Sequence, residues 1–300
     1  MLARLQQIIT LALLAAAGAW LLVFWRDSPV LAAAGFAAIA MGYSLFLAAE
    51  FLLLRLVEGR PGASPPGWGE LLAAWLGETV TAPRVFCWRQ PFRADEVPDC
   101  AGPVPGLSGR RGVVFIHGFV CNRGFWTPWL KALRRQNHAF AAVNLEPVFG
   151  PIDAYVPLIE EAVRRVTQAS GMPPVLVCHS MGGLVARAWL HAMAAHDRVH
   201  HVITIGTPHR GTWLARFSKV TNGKQMRLAS EWLQQLAQAE TVQQQAGFTC
   251  WYSNCDNIVF PSVTATLPGA DNRLVRGVAH VQLAFHAQVM RASLAKIGIV

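Results

Sequence analysis

The stretch VLVCHSMGGLVAR (Val175–Arg187) decides how this chain is read. An apolar run ends at Cys178, His179 and Ser180, and small residues then lead into a helical pattern. A serine on a sharp strand-to-helix turn is held in a strained backbone conformation that projects its Oγ away from the sheet. The residues two before and two after it must be small, because strand and helix backbones pass close together there. Gly182 meets that demand. Cys178 stands where the G-x-S-x-G pattern has its first glycine, and it is small but not glycine.

A serine needs a base to become a nucleophile, and the base needs an acid to hold its tautomer. On this kind of turn the chain order is Ser, then Asp or Glu, then His. WYSNCDNIVFP places Asp256 just past an expected strand, and RGVAHVQLAF places His280 just before the final helical segment. The rival acids are Asp197 and Asp271, and the rival bases are His209, His286 and the His200–His201 pair. Two backbone N–H groups must also face the developing oxyanion. Met181, directly after the serine, supplies one. Phe119, in the loop that follows the strand of VVFIHGFV, supplies the other.

Outward from this site the chain alternates. VVFIH, AFAAVNL, VLVCH, HVITIGT and FTCWYSN read as strands. The segments FWTPWLKALRRQ, DAYVPLIEEAVRRVTQAS and MGGLVARAWLHAMAAH, and about Val281 to Lys296, read as helices, with Gly171 a C-cap. Strands alternating with helices predict an α/β chain with a parallel sheet covered on both faces, and a site at the strands' carboxyl ends. Residues 210–247 break the rhythm with a Gln-rich helical stretch whose Leu228, Trp232, Leu233 and Leu236 share one face. They are expected either to cap the site, with Trp232 on an apolar lip, or to cover the sheet as an ordinary helix.

Together FIHGF, CHSMGGLVAR, TIGTPHRGT, SNCDNIVFP and GVAHVQL resemble the α/β-hydrolase superfamily, and most of all bacterial triacylglycerol lipases and related serine esterases. The resemblance runs from about Val113 to the C-terminus. It implies an α/β-hydrolase domain over 112–300. It also implies a serine hydrolase that cleaves carboxylic esters through an acyl-enzyme, with Ser180, Asp256 and His280 as catalytic residues and no metal or organic cofactor. Thioesterases and acyltransferases share the fold, and an inactive membrane scaffold is the alternative of another class. Cys178 departs from the family pattern, and so does the front of the chain.

That front is apolar. The 300 residues are 53% hydrophobic and 14% charged, against about 25% charged in ordinary domains. Residues 8–25 and 30–54 are expected to form a transmembrane hairpin within 1–58, joined by RDSP, with Trp20, Phe24 and Trp25 gathered at one end of the first span. Buried soluble helices, or a cleaved signal followed by a stop-transfer segment, are the alternatives. Arg4, Arg55 and Arg60 flank the hairpin while only Arg26 lies in its turn, which favours a two-pass inner-membrane protein with a cytoplasmic hydrolase domain.

Residues 59–111 read as a linker and an N-terminal segment, with a short helix over Leu71–Thr79 and a strand in RVFCWRQ. The net charge of +9 comes from scattered arginines with no compact basic run. The expected partners are therefore a membrane and a lipid or small acyl-ester substrate, not nucleic acid. Six cysteines without metal-binding spacing read as thiols in the cytoplasm; in an oxidising compartment Cys250–Cys255 or Cys87–Cys100 would be free to pair.

Overall fold

The short apolar runs become the centre of a six-stranded, all-parallel sheet. Its strands are β1 (Val113–Ile116), β2 (Phe140–Ala142), β3 (Val175–His179), β4 (His201–Ile205), β5 (Phe248–Ser253) and β6 (Asp271–Val275). Their spatial order is β2-β1-β3-β4-β5-β6. The computed structural model describes residues 1–58, 65–101 and 109–298.

Every residue of β1, β3 and β4 is buried, as a parallel sheet covered on both faces requires. Alternate residues feed two cores. Val114, Ile116, Leu176 and Cys178 pack under helices α6 (Val156–Ser170) and α7 (Met181–Ala192). Val113, Phe115, Val175 and Val177 pack on the other face, with Trp129 and Leu133 of α5 (Thr127–Arg135) and with Val289 and Ile297 of α10 (Ala287–Ile297). Helix α6 ends where expected, with Gly171 left-handed at φ 72°. The final helical segment is two pieces, α9 (His280–Leu283) and α10.

Strand β6 has no apolar run. It is an edge strand, DNRLV, with only Val275 buried, so its pairing with β5 and not its pattern makes it a strand. The segment RVFCWRQ, expected as a strand, is instead a π-helical turn, Arg84–Arg89. It continues α4 (Trp68–Pro83), which is longer than the short helix expected at Leu71–Thr79. Burial of Val85 in the core beside β1, with Cys87 and Trp88 left exposed, overrides the β propensity of the valine and aromatic residues.

At the front, α1 (Leu2–Phe24) has a mean hydropathy of 2.1 over its most apolar window and is long enough to cross a bilayer; a membrane anchor and a signal sequence both have this length and composition. The expected second span, 30–54, is not one straight helix. It is α2 (Pro29–Met41) and α3 (Tyr43–Glu58), bent by 51° at Gly42. The bend turns α3 onto the sheet domain. There Phe51, Leu54 and Val57 pack with Leu71 and Ala74 of α4 and with Cys255, Phe260 and Ala279. Tyr43 Oη donates to the Thr79 carbonyl at 2.6 Å, and Trp75 Nε1 to the Ser44 carbonyl at 2.8 Å, which holds the bend. The first half of the expected Pro- and Gly-rich linker, residues 59–64, lies outside the described residues, as do residues 102–108 of the loop before β1.

Candidate active site

Ser180 sits between the last residue of β3 and the first of α7 with φ 54° and ψ −128°. A non-glycine residue at positive φ is strained, and here the strain is held from both sides. The Ser180 N–H donates to the Ile205 carbonyl of β4 at 2.9 Å, and the Ser180 carbonyl accepts from the Gly183 N–H at 3.1 Å. Gly182 is needed because a Cβ there would lie against the Ile116 carbonyl and 2.8 Å from that of His117. Cys178 lies one strand pleat earlier, fully buried in the core below α7. Burial pushes its thiol pKa up, so it stays protonated.

Asp256 follows β5, and His280 opens α9. The His280 Nδ1 lies 2.9 Å from Asp256 Oδ2. The other carboxylate oxygen, Oδ1, accepts the Ile258 and Val259 N–H groups at 3.0 and 2.7 Å. His280 is buried, which disfavours its charge, but Asp256, Glu78 and Glu50 together outweigh burial and raise its pKa.

The loop carrying Phe119 meets the serine directly. A Cβ on Gly118 would lie 2.8 Å from Ser180 Cβ. His117 braces that loop. Its Nε2 accepts the Leu145 N–H at 3.1 Å, which leaves Nδ1 to donate to the Gly118 carbonyl at 2.9 Å. Burial lowers the His117 pKa to about 4, so this neutral tautomer holds across physiological pH. Val120, next in the loop, is also at positive φ, 53°. Met181 is the first residue of α7, where backbone N–H groups lack helical partners and carry the positive end of the dipole.

Gly118, Phe119, Ser180 and His280 line one cavity of about 280 Å³. Leu47 and Glu50 of α3, Glu78 and Ala82 of α4, and Phe86 form part of its wall. No residue of 210–247 lines it among the described residues. The start of that segment, Thr212 and Trp213, bonds the Ile258 and Phe260 carbonyls behind the wall, and its Gln-rich helical part lies elsewhere. Trp232 forms no lip; its indole donates to Asp153 at 2.9 Å, and Leu233 and Leu236 of α8 (Glu231–Gln238) face inward.

Two acids from outside the sheet domain grip the His280 turn. Glu78 accepts the Val281 and Gln282 N–H groups, each at 2.9 Å, one on each oxygen. Burial pushes its pKa up to about 7 against those hydrogen bonds. Glu50 accepts from Asn257 Nδ2 at 2.7 Å, and Asn257 Oδ1 accepts the His280 N–H at 3.2 Å. Sequence patterns missed Glu78 and Asn257. The only signal for Glu50 was a lone acid in the apolar run SLFLAAEFLLL. His179 packs its ring against Phe125 and His280, at centroid distances of 4.4 and 4.6 Å. Burial, then the nearby His280 charge, hold it neutral, well below an ordinary histidine.

The rival residues are apart from this cluster. Asp271 opens edge strand β6 and pairs with Arg273, and Asp197 lies in the exposed turn His196–Arg198. His209 bonds Thr204 at 3.0 Å, His201 bonds Thr249 at 2.9 Å, and His286 precedes the first residue of α10. All six cysteines are free thiols.

The family described as the PGAP1-like alpha/beta domain matches residues 156–281, which contain Ser180, Asp256 and His280. No curated protein matches the sequence. Among solved structures, the mature lipase BlEst2 of Bacillus licheniformis superposes with a TM-score of 0.55 at 17% identity, over 66% of this chain and 95% of that one. Aspergillus fumigatus lipase B gives 0.56 at 16% identity, over 63% of this chain and 53% of its own. At such identities the likeness is one of fold. The parallel sheet and its covering helices match the α/β fold of these lipases.

Proposed function

We propose that the chain is a membrane-anchored serine hydrolase that cleaves carboxylic esters, lipid-like ones by preference, through an acyl-enzyme. The observation that carries this reading is Ser180 at positive φ on the strand–helix turn, sharing a cavity with a His280 whose Nδ1 is bonded to Asp256. In this scheme His280 Nε2 takes the Ser180 Oγ proton as Oγ attacks the ester carbonyl. Asp256 holds Nδ1–H and offsets the imidazolium charge. The Phe119 and Met181 N–H groups receive the oxyanion. The protonated His280 gives its proton to the departing alcohol. Water, deprotonated by the same nitrogen, then releases the acid.

The lipase-type fold supports an ester substrate, and the apolar wall of Leu47, Ala82, Phe86 and Phe119 suits an acyl chain. For the anchor, α1 at about 1.5 Å per residue spans about 34 Å. It packs on α2 as the first leg of a hairpin, and the bend at Gly42 divides the second leg. Gln6 and Gln7, at the start of α1, bond Gln90 and the Pro91 carbonyl, so both ends of the hairpin sit at the hydrolase domain. Arginine placement favours the cytoplasmic side.

A fluorophosphonate probe tests the chemistry. It should label the purified protein and leave Ser180→Ala unlabelled; equal labelling of the two would remove Ser180 from the mechanism.

A further inference from the structure

Helix α4 is built inside out. Its two charged residues, Glu70 and Glu78, turn toward the protein. Glu78 holds the His280 turn, and Glu70 accepts from Arg276 at 2.8 Å and from Asn254 at 3.1 Å. The outward side carries Trp68, Leu72, Leu76 and Val80 at a spacing of four, each at least half exposed, with only Gly69 and Ala73 between them. A helix on a water-facing surface shows the reverse pattern, with the apolar stripe inward and the charges outward.

Helix α3 repeats the inversion. Glu50 and Glu58 are buried, the latter accepting the Ser262 N–H. Leu45, Phe46, Leu52 and Leu56 face out, each more than half exposed. Two helices side by side thus present one apolar surface while all four of their acids are used inside.

We infer that the outer face of α3 and α4 lies in a lipid leaflet, and that the cavity at Ser180 takes its substrate, an ester whose acyl chain resides in the bilayer, between these two helices. Three observations favour lipid over a second protein as the covering phase. The apolar surface continues across the bend at Gly42 from α3 onto α2, where Val30, Leu31, Phe36 and Met41 are exposed. Whatever surrounds the hairpin therefore also meets α3. The margins of the patch carry tryptophan with arginine: Arg55 lies 4.3 Å over the Trp68 ring, and Arg93 lies 5.2 Å over Trp88. Indole and guanidinium together suit the headgroup layer at the edge of a hydrocarbon phase. The inner sides of the same helices supply Leu47, Glu50, Glu78 and Ala82 to the cavity wall. Leaflet and cavity are then separated by about one helix diameter, about 10 Å, and an acyl chain reaches Ser180 without passing through water.

The substrate part rests on the reading of Ser180 as nucleophile; the placement of the face does not. Both are tested on the full chain in vesicles of phosphatidylethanolamine and phosphatidylglycerol. A cysteine-reactive NBD fluorophore is placed at Leu72→Cys, Leu76→Cys or, as control, exposed Gln168→Cys on α6, all in a Cys87→Ser background. Lipids brominated in the acyl chain should quench positions 72 and 76 and leave 168 unaffected, while aqueous iodide does the opposite. Iodide quenching at 72 and 76 overturns the inference, because the face is then in water. Protection of both positions from both quenchers also overturns it, because protein then covers the face.

The second arm is the double variant Leu72→Glu/Leu76→Glu. Its hydrolysis of a long-chain diacylglycerol in vesicles should fall by about tenfold or more as the face loses its hold on the leaflet. Hydrolysis of soluble p-nitrophenyl butyrate, and fluorophosphonate labelling, should stay within about twofold, showing an intact fold. Equal loss on both esters would defeat the substrate route. A wild type that takes no fluorophosphonate would defeat the hydrolase reading instead and leave the quenching result standing.

Discussion

Glu50 reaches His280 through a single side chain: Asn257 donates to Glu50 at 2.7 Å and accepts the His280 N–H at 3.2 Å. A residue in an apolar N-terminal helix is thereby coupled to the proposed catalytic base, 230 positions later in the chain. Glu78 makes a second such link, through the two N–H groups that follow His280. Helices α3 and α4 are therefore part of what positions His280.

Replacing Glu78 separates charge from geometry. Glu78→Ala strips two buried N–H groups of a charged acceptor, each such bond contributing about 1.5–3 kcal/mol. It should lower thermal stability measurably and reduce kcat/KM by about tenfold or more. Glu78→Gln keeps one acceptor and should be milder. If the two variants were alike in both stability and rate, the grip on the turn would count for little.

The pH profile carries a sign. His280 accepts a proton only when neutral, and its pKa is raised above that of an ordinary histidine because its carboxylate neighbours outweigh burial. The acid limb of kcat/KM should therefore lie above the pH at which a free imidazole titrates. The groups facing His280 are Asp256, Glu78, Glu50 and the neutral His179. Glu78→Gln removes the negative charge that Glu78 gains as it ionises around pH 7, so the limb should move to lower pH. A limb that stays in place would show that His280 does not feel Glu78.

Ser180→Ala and His280→Ala should each reduce turnover by orders of magnitude, and the double variant should be little worse than either alone, because members of a catalytic set act as a unit. Additive losses in steady-state kinetics would mean that they act in separate steps.

Gly118→Ala sets a methyl group 2.8 Å from Ser180 Cβ, which moves either the serine or the Phe119 loop. A displacement of this order costs about 100-fold in rate. Cys178→Ala, by contrast, changes only packing in the core below α7, and activity should stay within about tenfold of wild type, a barrier change of about 1.4 kcal/mol. Both variants are read with one soluble ester. A dead but folded Cys178→Ala would assign the thiol a role in the reaction.

A C-terminal reporter fusion should read cytoplasmic. A periplasmic signal would invert the proposed topology and place the six free thiols in an oxidising compartment.

The sheet was legible in the sequence because buried parallel strands leave short continuous apolar runs, and VVFI, VLVCH and HVITI are such runs. The edge strand β6 was not legible, because one exposed face removes the pattern. The candidate set of Ser180, Asp256 and His280 was readable for a related reason: Ser180 and Asp256 fall at expected strand ends and His280 just before the final helical segment, in the chain order Ser, Asp, His. What no local pattern carries is contact between distant segments. RVFCWRQ has β propensity and becomes a π-turn because Val85 is drawn into the core. SLFLAAEFLLL reads as part of a membrane span. Yet its glutamate, and the bend at Gly42 just before it, are governed by Asn257 and by α4, more than 200 and about 30 residues away. Chemistry that depends on residue type and chain order is written along the sequence. The wall of the cavity, and the acids that hold the His280 turn, depend on which helix the bend delivers to the sheet, and only the packed tertiary structure decides that.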